Sequence, residues 1–130
     1  MARILVTEDD DSVRAFVARA LTLDGHWIAT AEDGADALDR LRSEALAFDL
    51  LLSDIRMPMM DGIALAIEAA PEFPDLTILL MTGFADQRER ANDLAQVIRD
   101  VVLKPFTLQQ IRDAVSEAFG EKREEAEKAA

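Results

Sequence analysis

The stretch from Leu50 to Gly62, LLLSDIRMPMMDG, joins a short apolar run to a polar loop. Its first part, Leu50–Leu52, predicts a strand, and its uninterrupted apolar character is typical of a parallel strand that is covered on both faces. Asp54 follows this run, and Pro58 and Asp61-Gly62 interrupt regular structure before the next helix. The stretch therefore predicts a buried parallel strand that ends in a carboxylate.

Apolar runs and helical periodicities alternate on both sides of this stretch. Further helices are predicted after Gly34, after Gly62, from about Asp86 to Ile98, and from Leu108 to Phe119. In the clearest helix, apolar residues recur at helical spacing and share one face; they are Val13, Phe16, Val17, Ala20 and Leu21. Strands are predicted at Ile4–Val6, Trp27–Ala31, Leu50–Leu52, Leu76–Met81 and Val101–Leu103.

This alternation predicts an α/β fold in which strand–helix units form a parallel sheet with helices on both faces, connected by right-handed crossovers. We expect the flavodoxin-like three-layer sandwich, a (βα)5 fold with a parallel five-stranded sheet of order 2-1-3-4-5. A fragment of a dinucleotide-binding Rossmann half is the alternative. An acidic run, Glu8–Asp11, follows the first strand, whereas that alternative requires a glycine-rich loop there.

The composition limits the functions that the chain can have. Its 130 residues predict one domain, at 1–119, followed by a charged tail at 120–130. With 14 Lys and Arg against 26 Asp and Glu, the net charge is −12, which disfavours binding to nucleic acid and to anionic membranes. The absence of cysteine excludes disulfides, thiolate zinc sites and a cysteine nucleophile. No apolar run reaches the roughly 18 residues of a membrane span, and we expect a cytoplasmic protein.

Polar side chains follow four of the predicted strands: Glu8 and Asp9 the first, Asp54 the third, Thr82 the fourth and Lys104 the fifth. Ligands bind beyond the carboxyl ends of the strands in such sheets, so we expect these groups to converge. A hard divalent cation would relieve the repulsion among three carboxylates, and Mg²⁺ prefers oxygen ligands. Asp54 could then act as a nucleophile that forms an acyl phosphate, with Lys104 and Thr82 stabilising the phosphoryl oxygens.

Four segments, in this order and at this spacing, resemble the receiver domain of two-component response regulators. They are ILVTEDD at 4–10, LLLSDIRMPMMDG at 50–62, MTG at 81–83 and KPF at 104–106. The resemblance covers residues 1 to about 119 and implies that Asp54 accepts a phosphoryl group from a histidine kinase or histidine phosphotransfer protein. It further implies that Asp9 and Asp54 bind Mg²⁺ directly. By the same resemblance, Glu8 binds mostly through water and Arg56 through its backbone carbonyl, and the Lys104-Pro105 peptide is cis.

The resemblance also predicts how the signal leaves the domain, and two departures bear on it. Many receivers have an aromatic switch residue on the fifth strand, where this chain has Val101. The small Gly-Ala step that often precedes that strand is replaced by Val97–Asp100. Because the eleven residues after Phe119 are too few to fold alone, we expect no effector domain there. We expect output through a protein–protein contact on the face formed by the fourth helix, the fifth strand and the fifth helix.

Among single-domain receivers the chain most resembles the CpdR type, on Thr82-Gly83-Phe84 and the Ala129-Ala130 terminus. That type acts as an adaptor for the ClpXP protease when unphosphorylated, which implies ClpX as a partner. The only chemistry expected is self-phosphorylation and self-dephosphorylation. Two alternatives stay open. One is a metal-dependent enzyme of phosphatase or topoisomerase-primase type, although such enzymes require a second aspartate at the position of Arg56. The other is a binding module whose partner affinity does not depend on phosphorylation, which is suggested by Val101 in place of the aromatic switch residue.

Overall fold

The structure is a computed structural model that describes residues 2–43 and 47–129. Within these residues, the strands β1 to β5 span Arg3–Thr7, Trp27–Ala31, Leu50–Asp54, Thr77–Thr82 and Asp100–Leu103. The helices α1 to α5 span Asp11–Leu23, Gly34–Ser43, Gly62–Glu72, Ala85–Asn92 and Leu108–Ala129. The predicted alternation of strands and helices is confirmed.

The strands form one parallel sheet of order β2-β1-β3-β4-β5, which confirms the predicted fold class. Two apolar layers cover the sheet. On one face, α1 and α5 pack on alternate residues of β1, β3 and β4; on the other, α2, α3 and the end of α4 pack on the remaining set. All five residues of β3 are buried, as its apolar run predicts for a strand with helices on both sides.

Two helices begin at acidic caps beside the carboxyl edge of the sheet. The Asp10 carboxylate accepts hydrogen bonds from the backbone N–H groups of Ser12 and Val13, which begins α1. The Asp61 carboxylate accepts one from the N–H of Ala64, which begins α3. Each cap satisfies N–H groups that a helix cannot pair internally, so both helices begin at a defined residue.

The fourth helix is shorter than predicted, and its predicted extension to Ile98 is wrong. α4 ends at Asn92, and residues 93–97 form turns. The N–H of Leu94 bonds the Ala91 carbonyl, and the N–H of Val97 bonds the Leu94 carbonyl, both tighter than α-helical spacing. The apolar residues that suggested a helix reach the core through these turns.

The fifth helix continues past the predicted boundary of the domain. Residues after Gly120 are helical to Ala129, although they carry no large apolar side chain. Two ion pairs tie this extension to Arg99, which bonds Glu125 at 2.5 Å and lies 3.9 Å from Glu121. No helix among residues 2–43 and 47–129 combines the length and apolarity needed to cross a membrane.

Candidate functional site

The carboxyl ends of four strands deliver the predicted polar residues to one edge of the sheet. Glu8 follows β1, Asp54 ends β3, Thr82 ends β4 and Lys104 follows β5. These strands are consecutive in the sheet order, so the four residues come from adjacent strands. Asp9 lies next to Glu8 in the β1–α1 loop, which we define as Glu8–Asp10.

Three carboxylates converge at this edge. One oxygen each of Glu8, Asp9 and Asp54 lies within 4.8 Å of the others. Glu8 and Asp54 are 1% and 6% exposed, whereas Asp9 is exposed. No hydrogen bond or ion pair engages the Asp9 carboxylate in the part of the chain that the structure describes, so Asp9 faces solvent beside two buried acids.

Lys104 joins the two buried acids. Its Nζ donates to both carboxylate oxygens of Glu8 at 3.2 Å and to Asp54 Oδ2 at 3.1 Å. The Lys104-Pro105 peptide is cis, as the resemblance implies. Burial alone would lower the pKa of Lys104, but the Asp54 and Glu8 carboxylates outweigh it and raise that pKa above its ordinary value. Lys104 therefore carries a fixed positive charge between them.

Glu8 holds a proton more strongly than an ordinary glutamate. Burial, together with a hydrogen bond to Asp54 and the Asp54 charge, raises the pKa of Glu8 to about 7, and the neighbouring Lys104 only partly offsets this. In the metal-free protein, Glu8 therefore loses its proton at a higher pH than an ordinary glutamate, because burial and the neighbouring Asp54 charge both disfavour its ionised form.

Glu8→Gln is expected to change the pH dependence of stability in the metal-free protein. The raised pKa of Glu8 stabilises the native state below about pH 4.5, and that contribution is lost as the pH rises to about 7. We therefore expect the free energy of unfolding of Glu8→Gln, measured in urea with a chelator present, to rise relative to that of wild type by roughly 2 kcal/mol between pH 5 and pH 8. Glu117→Gln, on the exposed surface of α5, is the control. A stability difference that does not vary with pH would contradict the raised pKa of Glu8.

Thr82 and Arg56 both contact Phe84, and neither is bonded to the acidic cluster among the described residues. The Thr82 hydroxyl is buried and accepts a hydrogen bond from the N–H of Phe84 at 3.2 Å. The Arg56 guanidinium lies 4.8 Å from the centre of the Phe84 ring. Among the predicted site residues, the structure thus brings Glu8, Asp9, Asp54 and Lys104 side chains together, while Thr82 and Arg56 both contact Phe84.

Sequence reasoning missed two residues that support the site. Arg14 Nη1 donates to the backbone carbonyl of Glu8 at 2.8 Å. Gly62 packs so tightly that a Cβ there would lie 2.2 Å from the Asp54 carbonyl oxygen. The spacing of Asp11 and Arg14 on one helix was the available signal for the first, whereas a close approach of backbones leaves no trace in the sequence beyond the glycine itself.

The arrangement is that of a known family. The family described as the response regulator receiver domain matches residues 4–116. The chain belongs to this family. The receiver protein CpdR of Brucella abortus (strain 2308) is 44% identical over 117 residues, which cover 90% of this chain and 93% of CpdR.

Two further relatives show how widely this receiver fold is used. The DNA-binding transcriptional regulator NtrC of Escherichia coli (strain K12) is 35% identical over 94% of this chain but only 26% of NtrC. The solved structure of the response regulator TrrA from Thermotoga maritima, in complex with Mg²⁺ and BeF, is 30% identical with a TM-score of 0.81. The match covers 91% of this chain and 99% of that one.

One position of this receiver domain departs from the common pattern in a way that the structure clarifies. Val101, where many receivers have an aromatic residue, is buried in the apolar layer that also contains Ala91 and Ile98. An aliphatic side chain thus fills the space between β5 and the end of α4. The aromatic side chain that many receivers carry here is therefore absent from this layer.

Proposed function

We propose that this receiver is a phosphorylation switch in which Asp54 accepts a phosphoryl group from the phosphohistidine of a kinase or phosphotransfer protein. The observation that carries the proposal is the position of the Asp54 carboxylate, 3.1 Å from Lys104 Nζ and within 4.8 Å of the Glu8 and Asp9 oxygens. A signalling switch, rather than an enzyme with a separate substrate, is the reading that family membership supports.

The three carboxylates fit Mg²⁺ as a cofactor. They are hard oxygen donors, two of them are buried, and Asp9 has no other partner among the described residues. We assign direct ligation to Asp9 and Asp54, a mostly water-mediated contact to Glu8 and a backbone carbonyl ligand to Arg56. When bound, Mg²⁺ neutralises charge on the carboxylates and on the phosphoryl oxygens.

The chain's own residues account for the transfer itself. An Asp54 carboxylate oxygen attacks phosphorus, the phosphorus–nitrogen bond of the donor breaks, and its electron pair returns to the imidazole, which takes up a proton from solvent water. Lys104 then pairs with a phosphoryl oxygen instead of the Asp54 oxygen, and Thr82 donates its hydroxyl to another. Hydrolysis of the acyl phosphate by water returns Asp54 and inorganic phosphate.

Transfer is tested with a small phosphoramidate donor, supplied with Mg²⁺ or with a chelator. We expect labelling to need the metal ion and to add one phosphoryl group per chain. Equal labelling in the chelator would remove the assigned role of the acidic cluster.

Arg56 and Phe84 each follow a site residue, Asp54 and Thr82, by two positions, and they contact each other. We expect this contact to lengthen the life of the acyl phosphate by limiting access of water. Arg56→Ala and Phe84→Ala should each speed dephosphorylation about threefold or more. Arg88→Ala, on the exposed surface of α4, is the matched control. The measurement is the decay of labelled protein after removal of the donor, and unchanged lifetimes would remove this role.

We further propose a protein–protein output, with ClpX as the candidate partner and adaptor activity as in the CpdR type. The supporting observation is the 44% identity to CpdR over nearly the full length of both chains. Residues of the proposed output face include Leu103, which is 41% exposed on β5. A cytoplasmic location stays a prediction.

The output is tested by measuring the affinity of purified ClpX for the unmodified protein and for the protein with Mg²⁺ and beryllofluoride. The proposal predicts that ClpX binds the unmodified form and that beryllofluoride weakens this binding about tenfold or more. A tenfold change corresponds to a difference of about 1.4 kcal/mol in binding free energy. Equal affinities would favour the second candidate, a module that ignores phosphorylation, which the buried Val101 supports. Absence of binding in both forms would remove the adaptor role.

A further inference from the structure

Arg14, on the first turns of α1, touches the segment that carries two of the proposed metal ligands. Its side chain is 16% exposed. One guanidinium nitrogen donates to the Glu8 carbonyl at 2.8 Å and the other to Asp11 Oδ1 at 2.5 Å. A single planar group therefore joins both ends of the acidic run.

The remaining bonds of this run leave one carboxylate for a ligand. The Glu8 N–H donates to the Ala31 carbonyl at 3.1 Å, and the Asp10 carboxylate caps α1. Asp11, whose side chain is 88% exposed, pairs with Arg14. Among the residues that the structure describes, each acid of the run except Asp9 thus has a partner, and one Asp9 oxygen lies within 4.8 Å of oxygens of Glu8 and Asp54.

We propose that Arg14 is a positioning residue for the metal site: by clamping the Glu8 carbonyl and Asp11 together, it fixes the β1–α1 loop in the conformation in which Asp9 faces Asp54. This inference rests on the proposed function, because it concerns the affinity of the same acidic cluster for Mg²⁺. Arg14 contacts no carboxylate of the cluster itself, so it acts through the backbone and through the pairing of Asp11.

A positioning role of Arg14 and a purely electrostatic role predict opposite changes in Mg²⁺ affinity when Arg14 is removed. Removing a positive charge beside an acidic site should tighten cation binding, because the repulsion between that charge and the cation is lost. Removing a residue that orients ligands weakens it, typically tenfold or more for a partner outside the first shell of a metal. The sign of the change in Mg²⁺ affinity upon Arg14→Ala therefore distinguishes the two roles.

The experiment is a calorimetric titration of the full chain with Mg²⁺ alone, without phosphodonor. We expect Arg14→Ala to bind about tenfold more weakly than wild type. Arg19→Ala, which removes an exposed arginine of the same helix, should bind at least as tightly as wild type. Hydrogen exchange at the bonded amides of Glu8 and Ser12 should accelerate in Arg14→Ala only, a readout that is independent of the metal.

Arg14→Lys keeps the charge but cannot donate to both acceptors through one rigid fork. It should fold even if the alanine variant does not, and should bind Mg²⁺ about threefold or more weakly than wild type. Arg14 variants that bind as tightly as wild type would overturn the inference and leave the proposed function standing. A wild-type protein without affinity for Mg²⁺ would overturn both.

Discussion

Asp54→Asn is expected to abolish labelling by a phosphoramidate donor, because the amide is not a nucleophile toward phosphorus and cannot form an acyl phosphate. The substitution is nearly isosteric and also removes the Asp54 charge, which raises the pKa of Glu8. We therefore expect the variant to fold with at least wild-type stability. Loss of labelling with an unchanged urea midpoint would assign the loss to chemistry.

Asp61→Asn is the matched control for this prediction. Asp61 lies in the loop that follows Asp54 and caps α3 through its side chain, and asparagine caps helices about as well as aspartate. Labelling should be retained in Asp61→Asn. Persistent labelling of Asp54→Asn at the wild-type level would mean that another residue is the acceptor.

Gly62→Ala has the largest expected effect on stability. The added Cβ would meet the Asp54 carbonyl oxygen at 2.2 Å and the backbone of Ile55 at 3.0 Å. The Gly62 N–H also bonds the Ile55 carbonyl at 2.8 Å, so α3 cannot move away without breaking that bond. We expect a loss of roughly 3 kcal/mol in the free energy of unfolding, measured in urea, with slower phosphorylation because the Asp54 backbone must shift.

Gly120→Ala is the control for Gly62→Ala, because the same substitution is made where the structure has room for a Cβ. Gly120 lies within α5, and a Cβ there would meet nothing within 4 Å. The same substitution should therefore stabilise the protein by about 0.5–1 kcal/mol, since alanine favours the helix. A Gly62→Ala variant as stable as wild type would show that α3 and the Asp54 backbone are less tightly packed than the structure has them.

The fold was predictable because its determinants are local and periodic. The apolar run Leu50–Leu52 cannot be placed at a surface, and the strand that contains it is buried along its whole length. Polar residues at the strand ends follow from the same reasoning, since parallel strands present their carboxyl ends at one edge. The convergence of Glu8, Asp9, Asp54 and Lys104 side chains could thus be anticipated before any distance was known.

The parts that could not be predicted depend on long-range packing. The predicted C-terminal end of α4 was wrong because turns bring Leu94 and Val97 into the core. The spacing of these two residues in the sequence is the same whether a helix or turns place them there. The positions of Thr82 and Phe84 depend on how β4 ends against its neighbours, which no periodicity records. The contact of Arg14 with a backbone carbonyl requires a loop conformation that the sequence does not specify.

The most direct test of the central claim is to locate the phosphoryl group on the wild-type chain. Protein labelled in the presence of Mg²⁺ is treated with borohydride, which reduces an aspartyl phosphate to homoserine, and the modified residue is identified by peptide mass spectrometry. The account predicts homoserine at position 54 and nowhere else. Labelled protein in which Asp54 is unreduced, with phosphate on His26 or another residue, would contradict it.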